Sequence, residues 1–156
     1  MATDRDWDAY RTALVDLEPP GRPALRITPD APGDVGTWPE GLATPLTVVT
    51  AWNPGGVLLA DDVNAARHRI LSRELATRGL QWWPAIGRAP DHGHAEAGAA
   101  VTGLSEEEAR ALGRRHGQSA VYLWTPEAWE VVSCVRDRRD TLGWRLTEPH
   151  GSSNRS

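Results

Sequence analysis

The strongest hydrophobic signal in the chain is the run Leu46-Thr47-Val48-Val49-Thr50-Ala51-Trp52. It is apolar and β-branched without strict alternation, which predicts a central strand buried on both faces. Asn53-Pro54-Gly55-Gly56 ends it. Asp61 and Asp62 are suited to cap a following helix that reaches about Arg78, with Val63, Ala66, Ile70 and Leu71 as its buried stripe and Gly79 as its stop. Leu80 to Ile86 and His94 to Thr102 read as two strands joined by the turn-forming segment Gly87 to Gly93, a hairpin. Ser105-Glu106-Glu107-Glu108 is a capping box: the Ser105 hydroxyl accepts from the Glu108 amide, and the Glu108 carboxylate accepts from the Ser105 amide. Gly117 closes that helix. Ser119 to Trp124 and Trp129 to Val135 then read as strands on either side of the turn Thr125-Pro126-Glu127.

The flanks are less regular. Trp7, Tyr10, Leu14 and Leu17 recur at helical spacing, predicting a short amphipathic helix that Pro19-Pro20-Gly21 stops. Ala24 to Ile27 reads as a strand, Pro29 to Gly41 as a surface loop, Gly143 to Leu146 as an edge strand, and Gly151 to Ser156 as a disordered tail. From Leu46 onward the order is strand, helix, strand, strand, helix, strand. This predicts an α+β fold: an antiparallel sheet with the helices on one face, in ferredoxin-like βαββαβ order, with extra strands from the Ala24 region and from Trp129 onward. The 156 residues suit a single domain, placed at 1–150.

Composition narrows the function classes. The formal net charge is -4, so the summed field disfavours a polyanionic partner such as nucleic acid. All 17 basic side chains are Arg, a bias that GC-rich coding produces, so no single Arg is read as chosen for chemistry. Cys134 is the one cysteine, which excludes an intrachain disulfide and any Cys-cluster metal site. The charged start Met1 to Asp6 lacks a signal-peptide core, and no apolar run reaches membrane-spanning length. A soluble, cytoplasmic protein is expected.

Several runs together resemble a known family. They are Thr50-Ala51-Trp52-Asn53-Pro54, Leu59-Ala60-Asp61-Asp62-Val63-Asn64-Ala65-Ala66-Arg67, Gly103-Leu104-Ser105 and Gly117-Gln118-Ser119-Ala120-Val121. The chain resembles, from about Trp7 to Val135, the uncharacterised bacterial family numbered 3293 in the domain-of-unknown-function series. That family's pattern has an Ala-aromatic-Asn-Pro strand end, an Asn near the start of the next helix, a Trp-x-Glu in the hairpin and a Gly-Gln before the last strand. Asn53, Pro54, Asn64, Glu96, Gly117 and Gln118 match; His94 stands where Trp is commoner and Val63 where an acid is common. The resemblance implies no activity.

It does imply a candidate site. Asn53, Asn64, Glu96 and Gln118 would form an amide-rich set able to read a small polar ligand by hydrogen bonds. The alternative is that each braces its own loop: Asn before Pro favours a turn, Asn64 can bond loop backbone, and Gln118 can satisfy helix-end carbonyls. His92, His94 and Glu96 alternate, so an extended strand would present all three on one face as a weak metal candidate, with solvated histidines as the default. Cys134 lies in the apolar run from Val131 to Val135 and reads as a buried, inert thiol. Trp82, Trp83, Trp124 and Trp129 are possible stacking surfaces but are needed for the core, because Phe is absent. No Gly-x-Ser-x-Gly elbow, phosphate loop or dinucleotide fingerprint occurs, so no cofactor is indicated.

The leading expectation is therefore an accessory module binding a small ligand or a protein, with a cleft between the Asn53 loop, the start of the Asn64 helix and the Glu96 strand. One rival is a hydrolase or transferase using Glu96 as acid or base, with Asn53, Asn64 and Gln118 orienting substrate. The other is a structural homo-oligomer paired through the edge of the strand Trp129 to Val135.

Overall fold

A computed structural model describes residues 4–149; the tail Gly151 to Ser156 lies outside the described residues. The elements are α1 (Asp4–Thr12), β1 (Leu14–Leu17), β2 (Leu25–Asp30), β3 (Leu46–Thr50), α2 (Asp61–Thr77), β4 (Trp82–Arg88), β5 (Ala95–Thr102), α3 (Glu106–Arg115), β6 (Ala120–Thr125), β7 (Ala128–Ser133) and β8 (Arg139–Thr147). A short 3-10 turn, Pro54–Gly56, follows β3.

The expected succession from Leu46 is present, but it does not make an open ferredoxin-like sheet. The strands close into an eight-stranded antiparallel barrel in the order β1-β2-β8-β7-β6-β3-β5-β4, with β4 pairing back onto β1. β1 is the element that overturns the open sheet. Leu14 and Leu17 fit a helical period by coincidence, whereas the chain leaves α1 at Thr12 and alternates: Val15 and Leu17 are fully buried inside, and Asp16 faces the outer wall. Leu17 pairs with Leu25 on β2 and Ala85 on β4, so this short strand joins both sheet margins. β2 also runs on through Pro29 and Asp30, paired with Trp144 and Gly143 of β8, where a loop was expected. β8 is longer than the predicted edge strand and lies between β7 and β2. β7 in turn is hydrogen-bonded to β6 and β8, so it offers no backbone edge to a second copy.

Closure divides the apolar residues into two cores. The barrel interior holds Val15, Leu17, Ile27, Leu46, Val48, Trp83, Ala85, Ala100, Trp124, Trp129, Val131, Leu142 and Trp144. A second cluster lies outside the wall, where Val49, Ala99, Val101, Val121, Leu123 and Val132 meet Leu71 and Leu75 of α2 and Ala109 and Leu112 of α3. This is why β3 is buried on both faces. The buried stripe of α2 is Asn64, Leu71 and Leu75, while Val63 and Ile70 are 45% and 58% exposed, a shift from the predicted stripe. A polar residue therefore occupies a position that hydrophobic periodicity cannot assign to the inner face. Asp61 and Asp62 sit in the first turn of α2, suited to the helix dipole; the N-cap residue is Ala60, and Asp62 Oδ1 accepts from the first-turn Val63 amide at 2.9 Å. The capping box of α3 is present in both directions.

One end of the barrel is filled by indoles. Trp38 packs against Trp124 with ring centroids 4.2 Å apart and planes tilted by 47°, lies 6.0 Å from Trp144, and donates from Nε1 to the Leu42 carbonyl. The other end is covered in part by α1. Trp7 is buried there, its Nε1 donates to Asp140 at 2.9 Å, and Arg11 pairs with the same carboxylate at 2.8 Å.

Candidate functional site

At the α1 end the interior is not filled. A cavity of about 300 Å3 is lined by α1, β1, β3 to β6 and the loop that follows β3. Its apolar wall is made by Val15, Val48, Ala85, Ala120 and the rings of Tyr10 and Tyr122; its mouth lies among Asp6, Gly56, Leu58, Pro90 and His94. Pairing explains the shape. Gly87 of β4 pairs with Val15 and Glu96, and its missing side chain leaves room beside them, whereas Gly98 of β5 lets the β3 backbone approach, since a Cβ there would come within 2.5 Å of the Val49 carbonyl oxygen. A Cβ at Gly87 would meet no atom within 4 Å, so the space beside it is open.

The four polar residues implicated by the resemblance are placed as follows. Asn53, Glu96 and Gln118 line the cavity, and Asn64 does not. Asn53 sits at φ 46 and ψ 59, a left-handed conformation that Asn tolerates better than most residues. Its Oδ1 accepts from the Leu59 amide and from Asn64 Nδ2, and its backbone N–H donates to Asn64 Oδ1, each at 2.9 Å. Asn64 also donates to the Leu59 carbonyl at 3.2 Å, so it is engaged wholly in bracing the loop. Asn53 Nδ2 then reaches across to Glu96 Oε2 at 2.9 Å, where His94 Nε2 also approaches at 2.8 Å.

Gln118 arrives from the far side of the barrel wall. Its Nε2 donates to the Trp52 carbonyl at 3.0 Å and to the His116 carbonyl at 3.2 Å. The same junction is tied by the Gly55 amide donating to the Gly117 carbonyl and by Arg67, which donates to the carbonyls of Ala51 and His116. Gly117 is required there twice over. Its φ is +74, and a Cβ would come within 2.6 Å of Pro54. The Asn-Pro and Gly-Gln motifs are thus two halves of one contact between the end of β3 and the end of α3.

Residues 49–121 match the family model described as "Protein of unknown function (DUF3293)". The chain carries a DUF3293 domain. No curated protein and no solved structure matches the chain. The DUF3293 match begins near the end of β3 and stops in β6, a narrower span than the resemblance from Trp7 to Val135. It contains Asn53, Asn64, Glu96 and Gln118, the complete brace. It omits α1, β1, β2, β7 and β8, so the barrel that surrounds the cavity is completed by chain outside the DUF3293 match.

Other polar groups at the cavity are the hydroxyls of Thr50, Tyr10 and Tyr122. Thr50 donates to the Ala97 carbonyl at 2.6 Å and accepts from the Trp52 amide. Tyr122 donates to the Tyr10 carbonyl at 2.8 Å, and burial raises its hydroxyl pKa. Burial likewise raises that of Tyr10, against the opposing influence of Ser119. Neither Tyr was singled out from the sequence. The usable signal was the alternation Ala120, Tyr122, Trp124, which places all three on the inner face once β6 is paired on both sides.

Among the described residues no group of three or more His, Cys, Asp or Glu is arranged to hold a metal ion. His92 has φ 62 in the turn before β5, so the strand alternation proposed for His92, His94 and Glu96 stops short of it. Cys134 is buried against α3, and burial pushes its thiol up to about 11. Trp82 and Trp83 do face opposite ways: Trp83 is inside the barrel, and Trp82 lies outside near His68 of α2. Trp124 and Trp129 are fully buried and present no stacking face. No helix among the described residues is long and apolar enough to cross a membrane.

Proposed function

We propose that this chain is a binding module whose barrel receives a small, largely apolar ligand, with Glu96 and Gln118 as the polar groups at its inner rim. The observation that carries this reading is the unfilled cavity of about 300 Å3 inside an otherwise densely packed barrel. Globular interiors leave few voids larger than a water molecule, and small-molecule pockets begin at about this volume. The lining has the usual composition of such pockets, an apolar wall with a few convergent polar groups. The brace at Asn53 and Asn64 supports the reading by holding the rim rigid, which lowers the ordering cost of binding.

The test is occupancy of the cavity. A fragment screen followed by methyl NMR of Val48, Ala85 and Ala120 should find ligands that shift these signals and raise the melting temperature. Gly87→Val should fill the space and abolish the response while the protein stays folded. Ligands that bind Gly87→Val as well as wild type would place binding elsewhere.

A second reading is favoured by one observation, the contact of His94 Nε2 with Glu96 Oε2 at 2.8 Å beside the cavity mouth. Such a pair can serve acid or base chemistry on a substrate seated below it. Turnover of ester, amide or glycoside probes that disappears in Glu96→Gln would select this enzyme reading.

A further inference from the structure

The hydrogen-bonding capacity of the cavity is unevenly used, and the imbalance points to a class of ligand. The side-chain donors near the rim are mostly engaged with protein acceptors: Thr50 Oγ1 with the Ala97 carbonyl, Tyr122 Oη with the Tyr10 carbonyl, Asn53 Nδ2 with Glu96, and Gln118 Nε2 with two carbonyls. Arg88 also lines the cavity, but its Nε is drawn to Asp16 at 2.8 Å on the outer face of the barrel. Tyr10, whose hydroxyl lies near Ser119, is the remaining neutral donor.

Acceptors are left over. Glu96 receives both Asn53 and His94 on Oε2, and among the described residues its Oε1 has no hydrogen-bond partner. Gln118 is 8% exposed, uses only Nε2 in its bonds, and likewise has no partner at Oε1. The two side chains are anchored on adjacent residues, Gln118 on the Trp52 carbonyl and Glu96 on the Asn53 amide, so they approach the cavity together. Neither Oε1 oxygen is sealed from solvent, so each exchanges a water donor for a ligand donor, and the carboxylate favours a ligand that donates with positive charge.

We propose that the ligand is a cationic amphiphile: an apolar body, aliphatic or aromatic, seated among Val15, Val48, Ala85 and Tyr122, with a protonated amine donating to Glu96 Oε1 and Gln118 Oε1. This rests on the binding-module reading above and specifies its ligand. The amine supplies several donors to a rim that offers acceptors, and its charge complements Glu96. An anionic ligand of the same shape would face the Glu96 carboxylate, and a neutral alcohol would forgo the charge-assisted bond.

Three probes of one shape separate the alternatives: 2-phenylethylamine, 2-phenylethanol and 3-phenylpropanoate, titrated into the full-length protein at neutral pH with the methyl signals of Val48, Ala85 and Ala120 as readout. The amine should bind about tenfold or more tighter than the alcohol, as one charge-assisted hydrogen bond implies, and the anion weakest. Glu96→Gln, nearly isosteric and still able to accept from Asn53, should bring the amine-to-alcohol ratio close to one. Gly87→Val should remove the response to every probe, which ties the signal to the cavity. If the alcohol or the anion matches the amine while shifting the same methyls, the cationic assignment is overturned and the cavity reading stands. An amine preference that survives Glu96→Gln unchanged also overturns it. If no probe shifts these methyls, both readings fail.

Discussion

Asn53 and Asn64 hold one another in a closed ring: the Asn53 backbone N–H donates to Asn64 Oδ1, and Asn64 Nδ2 donates to Asn53 Oδ1, each at 2.9 Å. Both residues are buried, so neither has water as a substitute partner. The ring converts the start of α2 into a support for the loop after β3, and through Asn53 Nδ2 for Glu96.

Replacing Asn64 with Ala leaves the Asn53 amide and part of its Oδ1 capacity unpaired in the interior. A loss of about 2–3 kcal/mol is expected, the usual cost of stranded buried polar groups. Asn64→Asp should also destabilise, because a carboxylate would face Asn53 Oδ1 without a proton to donate. Urea denaturation of both variants checks this; an Asn64→Ala protein as stable as wild type would contradict the bracing role.

Gly87→Val should be tolerated. Gly87 lies in a strand with no positive φ, and a Cβ there meets open space. Removing the backbone freedom of a strand Gly should leave stability unchanged or raise it by about 0.5–1 kcal/mol. Comparison of denaturation midpoints tests this, and a clear loss of stability would mean that the space beside Gly87 is closed in solution.

Acid sensitivity should depend on Asp16. Its carboxylate binds Arg26 Nε at 2.7 Å and Arg88 Nε at 2.8 Å on the outer wall. Burial opposes ionisation, but these two guanidiniums prevail and hold the carboxyl below its usual value of 3.8. A carboxylate whose folded pKa is depressed stabilises above the unfolded value and loses that contribution as pH falls through the folded one. Asp16→Asn should therefore cost about 3 kcal/mol at neutral pH, as breaking a buried pair does. It should also lose less further stability than wild type between about pH 5 and pH 2. Parallel pH–stability curves for the two proteins would contradict the assignment.

The Cys134 thiol should be inert in the folded protein. Burial raises its pKa from 9.0 to about 11, which lowers the thiolate fraction about a hundredfold, and the side chain is inaccessible as well. Reaction with an aromatic disulfide reagent should be negligible natively and stoichiometric in denaturant. Rapid native labelling would show that α3 opens locally, since a Cβ at Gly113 of that helix would approach Cys134 Sγ to 2.4 Å.

The site was partly legible. Asn53, Glu96 and Gln118 stand out as polar residues at element junctions, and all three line one cavity. Asn64 could not be separated from them in sequence, because whether an amide faces a ligand or a neighbouring loop depends on helix rotation. The apolar half of the site was not legible at all. Val15, Ala85 and Tyr122 come from three strands far apart in sequence, and only barrel closure brings them around one cavity.

By itself the sequence determined the local elements whose causes lie within a few residues: the Ser105–Glu108 capping box, the left-handed Gly79 and Gly117, the doubly buried β3 and the β4–β5 hairpin. It also determined that the Asn53 turn would be special, since Asn before Pro-Gly-Gly has few backbone options. Only the tertiary structure decided that the sheet closes. Closure depends on pairing Leu17 with both Leu25 and Ala85, and β2 with β8, contacts as distant in sequence as Arg26 and Thr147 that leave no periodic trace. A four-residue strand such as β1 is too short for its alternation to outweigh a competing helical reading, yet it is the piece that turns a sheet into a barrel with an inside.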